Sequence, residues 1–301
     1  MATRSETPGP VLLFPGMGSE AVGMSAGWEG QPHWDAVLEG AEAHTGQPLR
    51  RWMREGPESA LKAQRHSPHA SLAHSIGVFR AHRAAGLALP AAASGYSLGF
   101  FSALVAAGVV PLETAQDLVL ATEDLADARF GAGTMGMAFV IGLQEADLRP
   151  RLRPGVVLAN RNGRASFSLS GPLADLEALT ADLAPHCLRA GLLPVRQPLH
   201  GPHMAPLLEG IRARMAGVVP RRPDFPLVSG HDGRILEGAG EAWQEAIGSI
   251  ARGVDWPRAV EALGAFPGEW LECGTGTQLA HLTRWLVRDR TVRSLQSPPS
   301  D

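Results

Sequence analysis

The stretch AAASGYSLGFFSALVAAG, from Ala91 to Gly108, constrains this chain more than any other. A small-residue run ends in Gly95-Tyr96-Ser97-Leu98-Gly99 and passes directly into an apolar helical run. Strand, sharp turn, helix is the context that gives G-x-S-x-G its meaning: the glycines let strand and helix pack closely around a strained turn, and the serine projects from the helix N-terminus. A serine hydroxyl is a poor nucleophile at neutral pH and needs a base within hydrogen-bond reach and donors for a developing oxyanion. The Leu98 N–H, just after the serine, is one such donor, and the helix end favours negative charge there. A chance match in a chain with 35 glycines reads the same locally, so Ser97 has to be judged with its partners.

The chain has 301 residues, 45% of them hydrophobic, and a net charge of -3. That is enough for an enzyme core in one large or two smaller domains. No apolar run approaches the roughly 20 residues of a membrane span, and MATRSETPGPVLLFPGMGSE does not read as a secretory signal. Cys187 and Cys273 form neither a close pair nor a metal pattern, which suits a reducing, cytoplasmic compartment. With no Lys/Arg block, nucleic acid is not an expected partner.

The segment PVLLFPG (10–16) predicts a buried strand entering a Gly turn, and LPAAASGYS the next strand. A helix is expected over about 112–129. Beyond GAGTMG the order changes: strand MAFVIGL, short helix QEADLRPRLR, strands GVVLANRNG and RASFSLSG, helix PLADLEALTADLAPH and strand CLRAGLLPV. This β-α-β-β-α-β order is the ferredoxin-like signature. A small inserted domain is therefore expected at 133–196, within a large α/β domain formed by 1–132 and 197–301. FPLVSGHDGR and EWLECGTG read as further strands, DWPRAVEALGAF and TQLAHLTRWLVRD as helices on an α/β core.

A base for Ser97 is sought among eleven histidines. His200 and His203 lie together in RQPLHGPHMAP, but no Cys/His/Glu set nearby completes a zinc site, so no metal is expected. FPGMGSE (14–20) lacks the lysine of a phosphate loop; its turn is better suited to donate the Met17 N–H to an oxyanion. Cys273 has no evident base and is not read as a nucleophile.

Set side by side, these segments resemble the malonyl-CoA:acyl carrier protein transacylases and the acyltransferase domains of polyketide synthases. FPGMGSE is similar to their F-P-G-Q-G-S-Q, GYSLGFFSALVAAG to G-H-S-L-G-E-x-x-A-L-x-x-A-G, and ANRNGRASFSLSGP to A-N-x-N-S-x-x-Q-x-V-I-S-G. LPVRQPLHGPHMAP resembles L-x-V-S-x-x-x-H-S-x-x-M-x-P, and WLECGTGTQLAHL the late E-x-G-P-x-x-x-L-x-x-L. The similarity runs in order along almost the whole chain. It implies an α/β-hydrolase-like core with an inserted ferredoxin-like subdomain and a ping-pong acyl transfer between thioesters. Ser97 is then the nucleophile, His200 the base, Met17 and Leu98 N–H the oxyanion donors, and the carbonyl of Ser249 the group that orients the histidine. The resemblance implies acyl-CoA and the 4'-phosphopantetheine arm of an acyl carrier protein as substrates, with no cofactor.

The departures concern the acyl group. Malonyl-specific members carry an arginine in the helix after the serine, whose fork clamps the malonyl carboxylate bidentately; the matching residue here is Thr122. Arg129 lies seven residues on, roughly 10 Å along a helix. Tyr96 stands where malonyl enzymes have His, and Phe100 where they have Glu. Tyr96, Phe100, Thr122, Asn160 and Asn162 are thus expected around the acyl group, and an unpaired carboxylate there would cost several kcal/mol in lost solvation. The expectation is an uncharged, non-malonyl acyl group. The alternatives are a malonyl transferase with its clamp supplied from elsewhere, a hydrolase that releases acyl groups from carrier proteins, and a docking subunit without activity. Arg161, Arg164, Arg189 and Arg196, in or beside the small domain, are candidate carrier contacts by location.

Overall fold

The fold is described over residues 8–131 and 133–299 of a computed structural model. Its strands, in chain order, are β1 (Val11–Phe14), β2 (Ala92–Gly95), β3 (Met135–Ile141), β4 (Val157–Gly163), β5 (Ser166–Pro172), β6 (Arg189–Leu192), β7 (Leu227–Val228), β8 (Ile235–Leu236), β9 (Val254–Asp255), β10 (Trp270–Glu272) and β11 (Val292–Ser294). They form two sheets, ordered β11-β10-β1-β2-β7-β8 and β6-β3-β5-β4-β9.

The central strand β1 explains the first sheet. Successive side chains of a strand face opposite ways, and here both faces are covered. Leu12 and Phe14 enter one core cluster with the helices that precede and follow β2, whereas Val11 and Leu13 enter another with Trp256, Val260 and Leu279. An uninterrupted apolar VLLF is what a doubly covered parallel strand requires. β1 pairs in parallel with β2 and β10, and only β8 runs antiparallel.

Between β1 and β2 the chain folds into helices Pro32–Thr45, Leu49–Glu55, Glu58–Leu61 and Ser67–Ala84. The last buries 14 of its 18 residues. Its sequence, SPHASLAHSIGVFRAHRA, therefore shows no polar face to betray its period.

The second sheet has the antiparallel order β6-β3-β5-β4, with helices Glu145–Leu148 and Leu173–Leu183 in the connections. Leu176, Leu179 and Leu183, spaced on one helical face, pack on Ala138, Val140 and Leu169 in a separate core. The molecule is thus an α/β-hydrolase-like core carrying a ferredoxin-like subdomain. β9 departs from the expected organisation. It comes from the large domain, yet joins the small sheet by pairing in parallel with β4, Asn160 opposite Val254 and Arg161 opposite Asp255. A boundary drawn at 133–196 leaves one strand of this sheet outside. We propose that division for the cores only, supported by the separate apolar cluster; residues 1–7, 132, 300 and 301 of it lie outside the described residues. FPLVSGHDGR yields just the two-residue β7 before Ser229 begins a turn in which its carbonyl accepts from Gly233 N–H. No helix among the described residues is long and apolar enough to cross a membrane.

Candidate active site

Ser97 sits at the tip of β2 with φ 54°, in the left-handed region that a side chain enters at a cost of about 1–3 kcal/mol. The turn is too tight for anything but glycine on either side. A Cβ on Gly95 would stand 1.9 Å from the Gly99 carbonyl carbon, and one on Gly99 would stand 2.0 Å from the Phe14 carbonyl oxygen. Phe100 N–H donates to the Ser97 carbonyl at 3.0 Å, which starts the helix Gly99–Ala106 directly behind the serine.

The second strained residue is His200, with φ 61°. Its backbone N–H donates to the Ile250 carbonyl at 2.9 Å. This turns the ring so that Nε2 lies 2.7 Å from Ser97 Oγ while Nδ1 lies 2.9 Å from the Ser249 carbonyl and 3.2 Å from that of Arg252. Two carbonyl acceptors at Nδ1 require the proton there, so Nε2 carries the lone pair that faces the serine hydroxyl. Burial holds the imidazole below the ordinary histidine pKa, partly opposed by the same two carbonyls. No carboxylate is hydrogen-bonded to His200 among the described residues. The Arg252 carbonyl was not foreseen; it follows from the turn after Ser249, which brings both carbonyls to one side.

Ser97 and His200 open into a cavity of about 250 Å³. Met17 and Leu98 line it, and neither backbone N–H donates to an acceptor among the described residues. Both are therefore free for a ligand oxygen. The approach of the two turns is close: a Cβ on Gly16 would lie 2.8 Å from the Tyr96 carbonyl oxygen.

The residues expected around the acyl group divide. Thr122 lines the cavity, its hydroxyl donating to the Leu118 carbonyl of its own helix at 2.7 Å. Tyr96 and Asn160 also line it, but their polar atoms are engaged with each other. Asn160 Nδ2 donates to Tyr96 Oη at 3.0 Å, Tyr96 O–H donates to Asn162 Oδ1 at 2.6 Å, and Asn160 Oδ1 accepts the Val254 N–H at 3.1 Å. The Tyr96 ring meets Trp256 edge-on at 5.9 Å. Two expectations are corrected. Phe100 is buried in the main core and Asn162 is spent on Tyr96; neither lines the cavity. Leu98 and Phe101, three residues apart and so on one helical face, line the cavity, and Phe100 between them turns toward the core.

No arginine lines the cavity among the described residues, and Arg129 is exposed at the far end of its helix. Among the described residues the lining cation is Lys62, whose Nζ is 2.5 Å from Glu58 Oε1. Two carboxyls not anticipated from sequence do line it, Glu20 and Glu123. Glu20 accepts the Gly18 N–H at 2.8 Å and the Ser71 hydroxyl. Glu123 is buried, with Oε2 unpartnered, and burial pushes its carboxyl up to about 8. Both had a signal: Glu20 closes the quoted FPGMGSE, where relatives end in Gln, and Glu123 directly follows Thr122.

Of the arginines considered for carrier contacts, Arg161 is tied to Glu145 and Asp255, while Arg164, Arg189 and Arg196 are exposed. His203 Nε2 lies 2.7 Å from the Gly155 carbonyl, on the surface. Burial raises the Cys273 thiol far above the thiolate range, away from nucleophilic use. No cluster of three metal-ligating side chains occurs among the described residues.

A strained serine on a strand-to-helix elbow, paired with a carbonyl-held histidine beneath a ferredoxin-like insert, is an arrangement of acyl transferases. The acyl transferase domain model matches residues 11–234. The chain is 30% identical over 295 residues to the malonyl CoA-acyl carrier protein transacylase of Salmonella typhimurium, covering 95% of this chain and 96% of that one. Among solved structures, the malonyl-CoA:acyl carrier protein transacylase of Xanthomonas oryzae superposes with a TM-score of 0.88 at 30% identity, covering 96% of this chain and 94% of that one. A malonyl-transacylase in complex with a type II polyketide acyl carrier protein superposes at 0.86 and 27% identity, covering 95% and 94%. The chain belongs to the acyl transferase domain family.

Proposed function

We propose that this protein transfers an acyl group between a CoA or carrier-protein thioester and a pantetheine thiol through an acyl-Ser97 intermediate. The observation that carries the reading is the 2.7 Å contact between Ser97 Oγ and a histidine nitrogen held free of its proton. His200 Nε2 takes the hydroxyl proton as Ser97 Oγ attacks the thioester carbonyl. The oxyanion meets the N–H groups of Met17 and Leu98. The carbon–sulfur bond then breaks, and the leaving sulfur takes the proton from His200. In the second half, the acceptor thiol gives its proton to His200 and attacks the ester carbon, and Ser97 Oγ leaves with that proton. The Ser249 and Arg252 carbonyls stabilise the imidazolium formed in each half. By likeness to the transacylase solved with its carrier, the acceptor is an acyl carrier protein.

The acyl group in this reading is uncharged rather than malonyl. Thr122 replaces the clamping arginine, no arginine lines the cavity among the described residues, and the carboxyls of Glu20 and Glu123 offer a malonyl carboxylate no cationic partner. The test is incubation with malonyl-, acetyl- and longer acyl-CoA, reading the mass of the protein. An adduct on Ser97 from the uncharged thioesters, absent in Ser97→Ala, is expected. Rapid and preferred malonylation overturns the assignment of the acyl group; no adduct from any thioester overturns the mechanism.

A further inference from the structure

Glu123 is the least explained side chain in the cavity. It lies next to Thr122 on the helix Leu112–Phe130, is 4% exposed, and leaves Oε2 buried without a hydrogen-bond partner. The other lining carboxyl, Glu20, is fully used in holding the Gly18 turn and Ser71. The cation whose charge acts on Glu123 is Arg65, and it is committed elsewhere, with Nη2 2.8 Å from Asp124 Oδ1 and 3.0 Å from Asp127 Oδ2. A buried carboxyl with no donor is costly to keep. Glu123 lines the same cavity as Ser97, and so borders the space that an acyl chain on the serine would occupy.

We infer that Glu123 is a specificity residue that accepts a hydrogen bond from an N–H group on the acyl chain, so that the preferred substrates are nitrogen-bearing acyl thioesters. This rests on the reading of Ser97 as the acyl-bearing residue and gives its cargo a chemistry. Two sources share that chemistry. A neutral amide N–H would donate to a protonated Glu123, whose own O–H can return a bond to the amide carbonyl; the acyl group stays uncharged. An ammonium would pair with the ionised carboxylate. An apolar acyl chain leaves the Glu123 carboxyl without a donor.

The experiment follows acylation of Ser97 by intact mass with matched pantetheine thioesters. N-acetyl-β-alanyl is compared with 5-oxohexanoyl, its isostere without the N–H, and β-alanyl with butanoyl. At least one nitrogen-bearing member is expected to load tenfold or more faster than its isostere. Glu123→Leu is expected to bring that ratio to about one. Glu123→Gln, close in shape, keeps the amide preference and loses the ammonium preference, which separates the two sources and guards against a folding defect. Equal loading within both pairs by the unaltered protein, or a preference that survives Glu123→Leu, overturns the inference while leaving Ser97 as nucleophile. No loading by any thioester overturns the reading of the site itself, and this inference with it.

Discussion

The two ends of the cavity differ in how tightly they are determined. At the chemical end, each group is held by backbone. Ser97 is fixed by a turn that excludes any Cβ at Gly95 or Gly99, and His200 by three main-chain carbonyls, one on its N–H and two on its ring. At the acyl end, the walls are side chains of one helix and a few loops, and Thr122 and Glu20 differ from the motifs of malonyl transferases. Backbone geometry preserves a reaction through sequence change, because an N–H or a carbonyl survives the replacement of its side chain. A wall made of side chains has no such protection, and changes with the cargo.

Substitutions should break the molecule differently at the two ends. His200→Ala is expected to lower acylation by every thioester alike, by about 10²–10⁴-fold for loss of a positioned base, measured as the rate of adduct formation. A loss confined to some thioesters would show the histidine to read the acyl group instead. Gly99→Ala strikes the support of the elbow. With a Cβ 2.0 Å from the Phe14 oxygen, β1 or the helix must shift. A loss of about 3 kcal/mol in stability is expected by urea or thermal denaturation; an unchanged midpoint would mean that the turn is looser than it looks. The smallest effect is in pH. His200 must be neutral to act, and burial lowers its pKa, so the acylation rate should hold as pH falls through 6.5 and decline only below it. A decline centred above 6.5 and shared by Glu123→Gln would contradict a buried base.

The legible and illegible parts of the sequence divide along the same line. G-x-S-x-G, the strand before it and the β-α-β-β-α-β order are local patterns, and they could be read as such. The histidine and the Ser249 carbonyl lie 103 and 49 residues from their partners, and became legible through resemblance to a family rather than from spacing. The helix Ser67–Ala84 escaped because a segment buried all round has no amphipathic period. Tyr96 lines the cavity, but its hydroxyl is occupied by Asn160 and Asn162, 64 and 66 residues away, which no local pattern could show. Phe100, one position past Gly99, was misplaced because a helix turns about 100° per residue, enough to move a side chain from cavity to core.

The two-residue strand β9 has a consequence for anyone recombining such enzymes. The segment from Ser249 to Asp255 serves two masters: its carbonyls at 249 and 252 hold the catalytic ring, and its end at 254 and 255 is an edge strand of the small sheet. Gly253 between them is forced, since a Cβ there would sit 2.2 Å from the Ala159 carbonyl oxygen. Exchanging the insert between relatives at its sequence borders would therefore cut through a sheet. A chimera that keeps a working base must carry 249–255 along with the insert, as a second, separate piece of the transplant.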